Sequence, residues 1–155
     1  MTFLVDIQYA EKITIPFSEE ELKLWVKTAL EPFQKNAELT LRFVDNQEMS
    51  ELNQTYRHKQ GPTNVLSFPS DIPQEIAESL DEPFLGDIIV SPAVLLDESE
   101  TQNIPLQAHW AHIIIHGVLH LLGYDHMEPE EEIAMQAIEI QLLNKLGYEN
   151  PYLSH

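Results

Sequence analysis

His116-Gly117-Val118-Leu119-His120-Leu121-Leu122-Gly123-Tyr124-Asp125-His126 is the stretch on which the reading of this chain turns. Three histidines stand at offsets 0, +4 and +10, with a glycine three residues after the second. Residues 105–122 are nearly all apolar, and a helix apolar almost all round is a buried core helix. At 100° per residue, His116 and His120 lie about 40° apart and about 6 Å apart along the axis, so both rings can reach one ion. Were the helix to continue, His126 would stand about 15 Å from His116 along the axis, too far to join them. The helix must therefore stop between them. Gly123 is where it can stop, because glycine accepts the left-handed conformation past a helix end without a Cβ clash. Tyr124-Asp125 would then carry His126 back toward the other two rings. Three neutral imidazoles leave a fourth tetrahedral position for water, the layout of a catalytic zinc site.

His109, His112, His116 and His120 all fall in one helical stripe roughly 80° wide. Such a stripe is also what the solvated edge of a core helix would look like. His112/His116 has the same i, i+4 spacing, but Gly123 and His126 select His116/His120, because together they match the long-spacing zinc motif. His109 and His112 are then expected to pack, or to support the ligands from behind. Zincin peptidases place a glutamate directly after the first histidine as general base. That position is Gly117 here, which argues against ordinary peptide hydrolysis.

The 155 residues suit one domain, 1–155, with a proper core. There is no cysteine, so a metal must be held by His, Asp or Glu. Residues 1–10 carry one acid and no basic run, unlike a signal peptide. No apolar stretch suits a membrane span, and the expected location is the cytoplasm. The net charge of −18 is uneven. Residues 1–59 hold seven Lys/Arg against ten Asp/Glu; residues 60–155 hold only Lys145 against sixteen acids. A polyanion would be repelled by the later part and could approach only past the first third. Composition alone points away from nucleic acid.

Along the chain, Phe3, Val5, Ile7 and Tyr9 alternate as a strand. Ser18 and Glu21 form a capping box, with Phe17 and Leu22 as a hydrophobic staple, opening a helix that turns Leu22, Trp25, Val26, Ala29 and Leu30 inward. Leu39, Leu41 and Phe43 make a second strand. Asp45 and Glu48 form another capping box, opening a helix to about Tyr56. Arg57 to Asn64 is a loop with turn chemistry at Gly61-Pro62. Val65–Phe68 is a short strand stopped by Pro69. Residues 69–84 read as an acidic surface loop that we expect to cover or border the site. Leu85–Val90 is the fourth strand. Ser91 caps a helix with Pro92 at its first position, and Pro105 starts the histidine helix in the same way. Pro129 and Glu130–Glu132 open the last helix, expected to pack through Ile133, Ala137, Ile138 and Leu142 and to end at Gly147. The order β-α-β-α-β-β-α-α-α predicts an α/β (α+β) layered domain. It has one four-stranded mixed sheet, about five helices, and a zinc site at the end of a buried central helix.

Several blocks together resemble the YbeY family of bacterial endoribonucleases. They are His116-Gly-x-Leu-His-Leu-x-Gly-Tyr-Asp-His126, Leu52-Asn53-x-x-Tyr56-Arg57, Pro62–Pro69 and Leu85-Gly86-Asp87-Ile88. The resemblance runs from about residue 50 to the end. It implies a cytoplasmic, single-strand-specific endoribonuclease acting on ribosomal RNA at the small subunit, in 16S 3′-end maturation and ribosome quality control. It implies one bound Zn2+, or another divalent metal, on His116, His120 and His126, and a functional arginine at Arg57. An arginine fork suits phosphate oxygens and the charge of a phosphoryl transition state. Asp125 and His112 are candidates for orienting a ligand ring from behind. Asp125 is equally suited to a turn, and Asp87, in an apolar strand, needs a partner if buried. Lys59 and His58 are loop residues within reach of phosphate, and Trp110 is simplest as core. Basic ribosomal proteins are candidate partners for the acidic face. Two rival readings are an amidase or peptidase on the same zinc layout, and a non-catalytic ribosome-assembly factor whose metal staples the fold.

Overall fold

A computed structural model describes residues 2–73, 75–76, 83–124 and 128–152. The described elements are β1 (Thr2–Tyr9), α1 (Glu19–Leu30), β2 (Asn36–Phe43), α2 (Asn46–Arg57), β3 (Val65–Pro69), β4 (Phe84–Val90), α3 (Pro92–Gln102), α4 (Leu106–Leu121) and α5 (Pro129–Lys145). The strands form one sheet in the order β1-β2-β4-β3. β1, β2 and β4 run parallel, and β3 is antiparallel to β4. The α+β expectation and the element order therefore hold, and the sheet is mixed. Among the described residues, no helix is long and apolar enough to cross a membrane.

The two faces of the sheet do different things. On one face, Leu39, Leu41, Phe43, Ile88 and Val90 meet Trp25 and Val26 of α1 and Trp110, Ile114 and Val118 of α4. On the other, Ile89 and Leu66 meet Met49 of α2, with Leu52 and Phe68 beside them. Side chains alternate across a strand, so one short strand, β3, serves both faces. α4 and α2 thus flank the same sheet edge from opposite sides, and the cleft forms there.

Close approach of α4 to that edge depends on two glycines. A Cβ on Gly117 would stand 3.0 Å from Ile88 Cγ2 and 3.3 Å from Val65 Cγ2. The helix rests on the sheet at this point, and Ser67 Oγ donates to the Gly117 carbonyl at 3.0 Å. Gly86 has φ 141°, and a Cβ there would stand 2.2 Å from the Phe68 carbonyl oxygen and 2.9 Å from Leu121 Cδ2. Gly86→Ala therefore combines backbone strain with overpacking. We expect a loss of at least about 2 kcal/mol, read as a fall in Tm of at least about 5 °C for a chain of this size. An unchanged Tm would mean that β3 and α4 do not meet as described.

Local signals explain the helix starts. The Ser18/Glu21 capping box is present in both directions, and Ser91 Oγ caps α3 with Pro92 at its first position. Three expectations need correction. Asp45 caps α2, but Glu48 turns away to Arg42 at 3.3 Å, so that box is half made. Pro105 occupies the cap position of α4 rather than its first turn. The buried face of α5 is Met135, Glu139, Leu142 and Leu143, with Ile138 partly buried. Ile133 is 69% exposed and Ala137 is exposed. The helix is rolled from the purely apolar phase because Glu139 is drawn inward by imidazoles of α4. Part of the acidic loop, at 74 and 77–82, lies outside the described residues.

Candidate active site

α4 stops where the glycine allows. Gly123 has φ 101°, its N–H donates to the His120 carbonyl at 3.1 Å, and the Tyr124 N–H donates to Leu119 at 3.0 Å. This pair of bonds is the Schellman closure, which satisfies carbonyls that a helix end would otherwise orphan. The chain leaves the helix axis here, two residues before Asp125 and His126, both of which lie outside the described residues.

His116 and His120 converge at this end. Their Nε2 atoms are 3.0 Å apart, and their ring centroids are 4.5 Å apart at 77°. Behind them sits Glu139 of α5, 0% exposed. Its Oε1 lies 2.7 Å from His116 Nδ1. Its Oε2 lies 2.7 Å from His112 Nε2 and accepts a short hydrogen bond from the Tyr152 hydroxyl. Burial pushes this carboxyl up, but hydrogen bonds from His112 and His116 more than offset that and hold it down at about 2. Burial, followed by the Glu139 carboxylate, pushes the Tyr152 phenol up, so it remains a donor.

The tautomer follows. An ionised carboxylate only accepts, so the proton of His116 is on Nδ1 and its Nε2 presents a lone pair toward His120. Taking a carboxylate out of water costs several kcal/mol unless donors surround it; three do. Carboxylate–histidine pairs of this kind orient ligand rings in metal sites. Two Nε2 atoms at hydrogen-bonding distance, one held as an acceptor, form a donor set that fits a borderline metal such as zinc. Among the described residues no cluster of three His, Asp or Glu ligands is present.

The other histidines are not a solvated edge. His109 is buried against Glu98 at 2.9 Å, away from the converging pair, and so packs. His112 shares the Glu139 carboxylate with His116 and stacks edge-on to Tyr152, with ring centroids 5.5 Å apart. Trp110 is core. Asp87 is half-buried and, contrary to the expected structural hydrogen bond, makes no side-chain hydrogen bond or ion pair with a described residue.

Arg57 of α2 lines a cleft of about 620 Å³ together with His116 and His120 of α4, and Tyr56, Asn64 and Ser67 share its lining. It ends α2, where His58 adopts the left-handed conformation (φ 57°). Arg57 is exposed and makes no ion pair with a described residue. The fold thus brings residues 57, 116 and 120 to one cleft, although the two blocks are about sixty positions apart. Lys59 and His58 are exposed beside it. Gly117 points at the sheet rather than the cleft, so a glutamate base of the zincin kind has no room at that position.

Sequence reasoning missed Glu139 and Tyr152. A signal for the first was available: Met135, Leu142 and Leu143 share a helical stripe with 139, so an acid lies on the buried face.

The family model described as Endoribonuclease YbeY matches residues 6–147. Proteins named Endoribonuclease YbeY from Legionella pneumophila, strains Corby and Paris, are each 51% identical over 152 residues, covering 98% of this chain and 95% of theirs. The solution structure of TM1509 from Thermotoga maritima shares the fold, with a TM-score of 0.58 and 21% identity over 97% of this chain and 99% of that one. With the match spanning the residues that line the cleft, the chain belongs to the endoribonuclease YbeY family.

Proposed function

We propose that this chain, as one domain, is a zinc-dependent endoribonuclease that cuts single-stranded ribosomal RNA, in 16S 3′-end maturation and ribosome quality control in the cytoplasm. Family membership supports the nuclease activity. The observation that carries the residue assignment is the cleft that His116, His120 and Arg57 line together.

His116, His120 and His126 would hold the metal. Bound there, zinc supplies Lewis acidity toward a phosphoryl oxygen or a water. Glu139 keeps the His116 proton on Nδ1, so that Nε2 is available as a donor. Arg57 grips the non-bridging oxygens of the scissile phosphate through its fork, which strengthens as charge builds in the transition state. Its exposure lets it reach a backbone, and Lys59 beside it makes this the least acidic approach to the molecule. The strongly acidic remainder repels RNA elsewhere and suits basic ribosomal proteins as partners on the small subunit.

The test is cleavage of a single-stranded segment of 16S RNA against the same segment annealed to its complement. We expect cutting of the single strand, little of the duplex, and loss of both with chelator. Equal cutting of duplex and single strand would refute the strand preference. Release of peptides or amides with no RNA cleavage would favour the amidase reading.

A further inference from the structure

Beside the catalytic cleft, and separated from it by Tyr56 and Phe68, lies a second pocket of about 520 Å³. Tyr56 precedes Arg57 in α2 and is 61% exposed. A lone exposed aromatic on a surface is ordinary, but this one is held in a definite pose. Its ring meets Phe68 edge-on, with centroids 5.0 Å apart at 66°, and Phe68 is anchored in β3 against the smaller core cluster. Leu52, Phe84 and Ile89 line the pocket further in. Asp87 also lines it, on the same sheet face as Phe68, its cross-strand partner.

The charge of this pocket says what it takes. Asp71 and Asp87 line it, and no Lys or Arg is among its described lining residues. A phosphate is therefore excluded, whereas a flat, uncharged, partly apolar group is welcome. Asp87 is half-buried with no described partner, so its carboxylate oxygens are open to a donor on a ligand. An unpaired nucleobase meets both demands: its face stacks on an aromatic ring, and its edge offers amino hydrogens. Tyr56 also lines the cleft itself, as Arg57 does, so a base on its ring would adjoin a phosphate held by Arg57.

Resting on the nuclease reading of the cleft, we propose that Tyr56, braced by Phe68, is a stacking platform for an unpaired base next to the scissile phosphate. Asp87 accepts a hydrogen bond from that base's exocyclic amino group. The subsite then prefers adenine, guanine or cytosine to uracil, which has no amino group. It also supplies a reason for single-strand preference, because a base held in a duplex stack cannot enter.

The experiment titrates the zinc-loaded full chain into fluorescein-labelled single-stranded oligoribonucleotides and follows anisotropy, with cleavage of the same RNAs read in parallel. Tyr56→Ala should weaken binding about 10-fold, and Tyr56→Phe should stay within about twofold of wild type. An abasic nucleotide walked along the RNA should weaken wild-type binding at one position and leave Tyr56→Ala indifferent there. Asp87→Asn should narrow the preference for oligo-A over oligo-U. Unchanged affinity in Tyr56→Ala, or an abasic loss that persists in it, overturns the subsite and leaves the pocket to a protein partner. Wild type that binds in the Tyr56-dependent way without cutting would instead refute the nuclease reading and keep the subsite. Tyr56 is exposed, so a fall in Tm is not expected; if one occurs, the Phe variant and the abasic walk on wild type still decide.

Discussion

Replacing Arg57 by alanine should lower kcat about 100- to 1,000-fold, the usual effect of removing one donor aimed at transition-state charge. Zinc content should not move, because the side chain lines the cleft from α2 and the imidazoles from α4. Stability should change by no more than about 0.5 kcal/mol, because Arg57 is exposed and unpaired among the described residues. The measurements are single-turnover cleavage of ribosomal RNA, elemental analysis and thermal melting on the same preparation. Parallel loss of fold and activity would make Arg57 structural. Full activity would remove it from the site.

Glu139→Gln should weaken zinc binding 10- to 100-fold, the usual effect of losing a carboxylate behind a ligand histidine. Competition with a chromophoric chelator reads this without any RNA. Glutamine is close in shape but can turn an N–H toward His116 Nδ1, which would move the imidazole proton to Nε2 and remove the lone pair the metal needs. The same variant has a signature in acid. Glu139 is held at about 2 in the folded protein, well below the ordinary carboxylate value. A depressed carboxyl adds stability above its unfolded value, and that contribution is lost as pH falls through the folded one. The metal-free wild type should therefore lose about 3 kcal/mol between about pH 4.5 and pH 2 through this group. Glu139→Gln should lack that portion of the acid loss when urea unfolding is followed against pH. Identical zinc affinity and identical acid profiles would reduce Glu139 to packing.

What was legible in the sequence was whatever is decided locally. Gly123 marked the end of α4 because left-handed backbone at a helix end is a one-residue matter. Ser18 with Glu21, and Ser91 with Pro92, marked helix starts because a cap involves only the next three positions. Alternation at 39, 41 and 43 marked a strand with one buried face. The convergence of His116 and His120 followed from helical geometry alone. The pairs that cross the chain were not legible. That β4 lies between β2 and β3 depends on register choices across the sheet. His109 meets Glu98, and His116 meets Glu139, through helix packing that no short window contains. The rolled phase of α5 shows the cost: counting Ile133 and Ala137 as the buried face ignored the pull of two imidazoles on an acid. Arg57 entered through family resemblance, and only the fold places it in one cleft with the histidines.

The central claim is that one metal ion, held through His116 and His120, is what this nuclease needs to cut RNA. Elemental analysis of the purified chain and of His120→Ala, paired with ribosomal RNA cleavage before and after chelation and zinc return, tests it most directly. The account predicts about one zinc per chain, none in the variant, and cleavage that disappears with chelator and returns with zinc. Metal-free protein that cuts at the undiminished rate, or a variant that keeps its zinc, would contradict it.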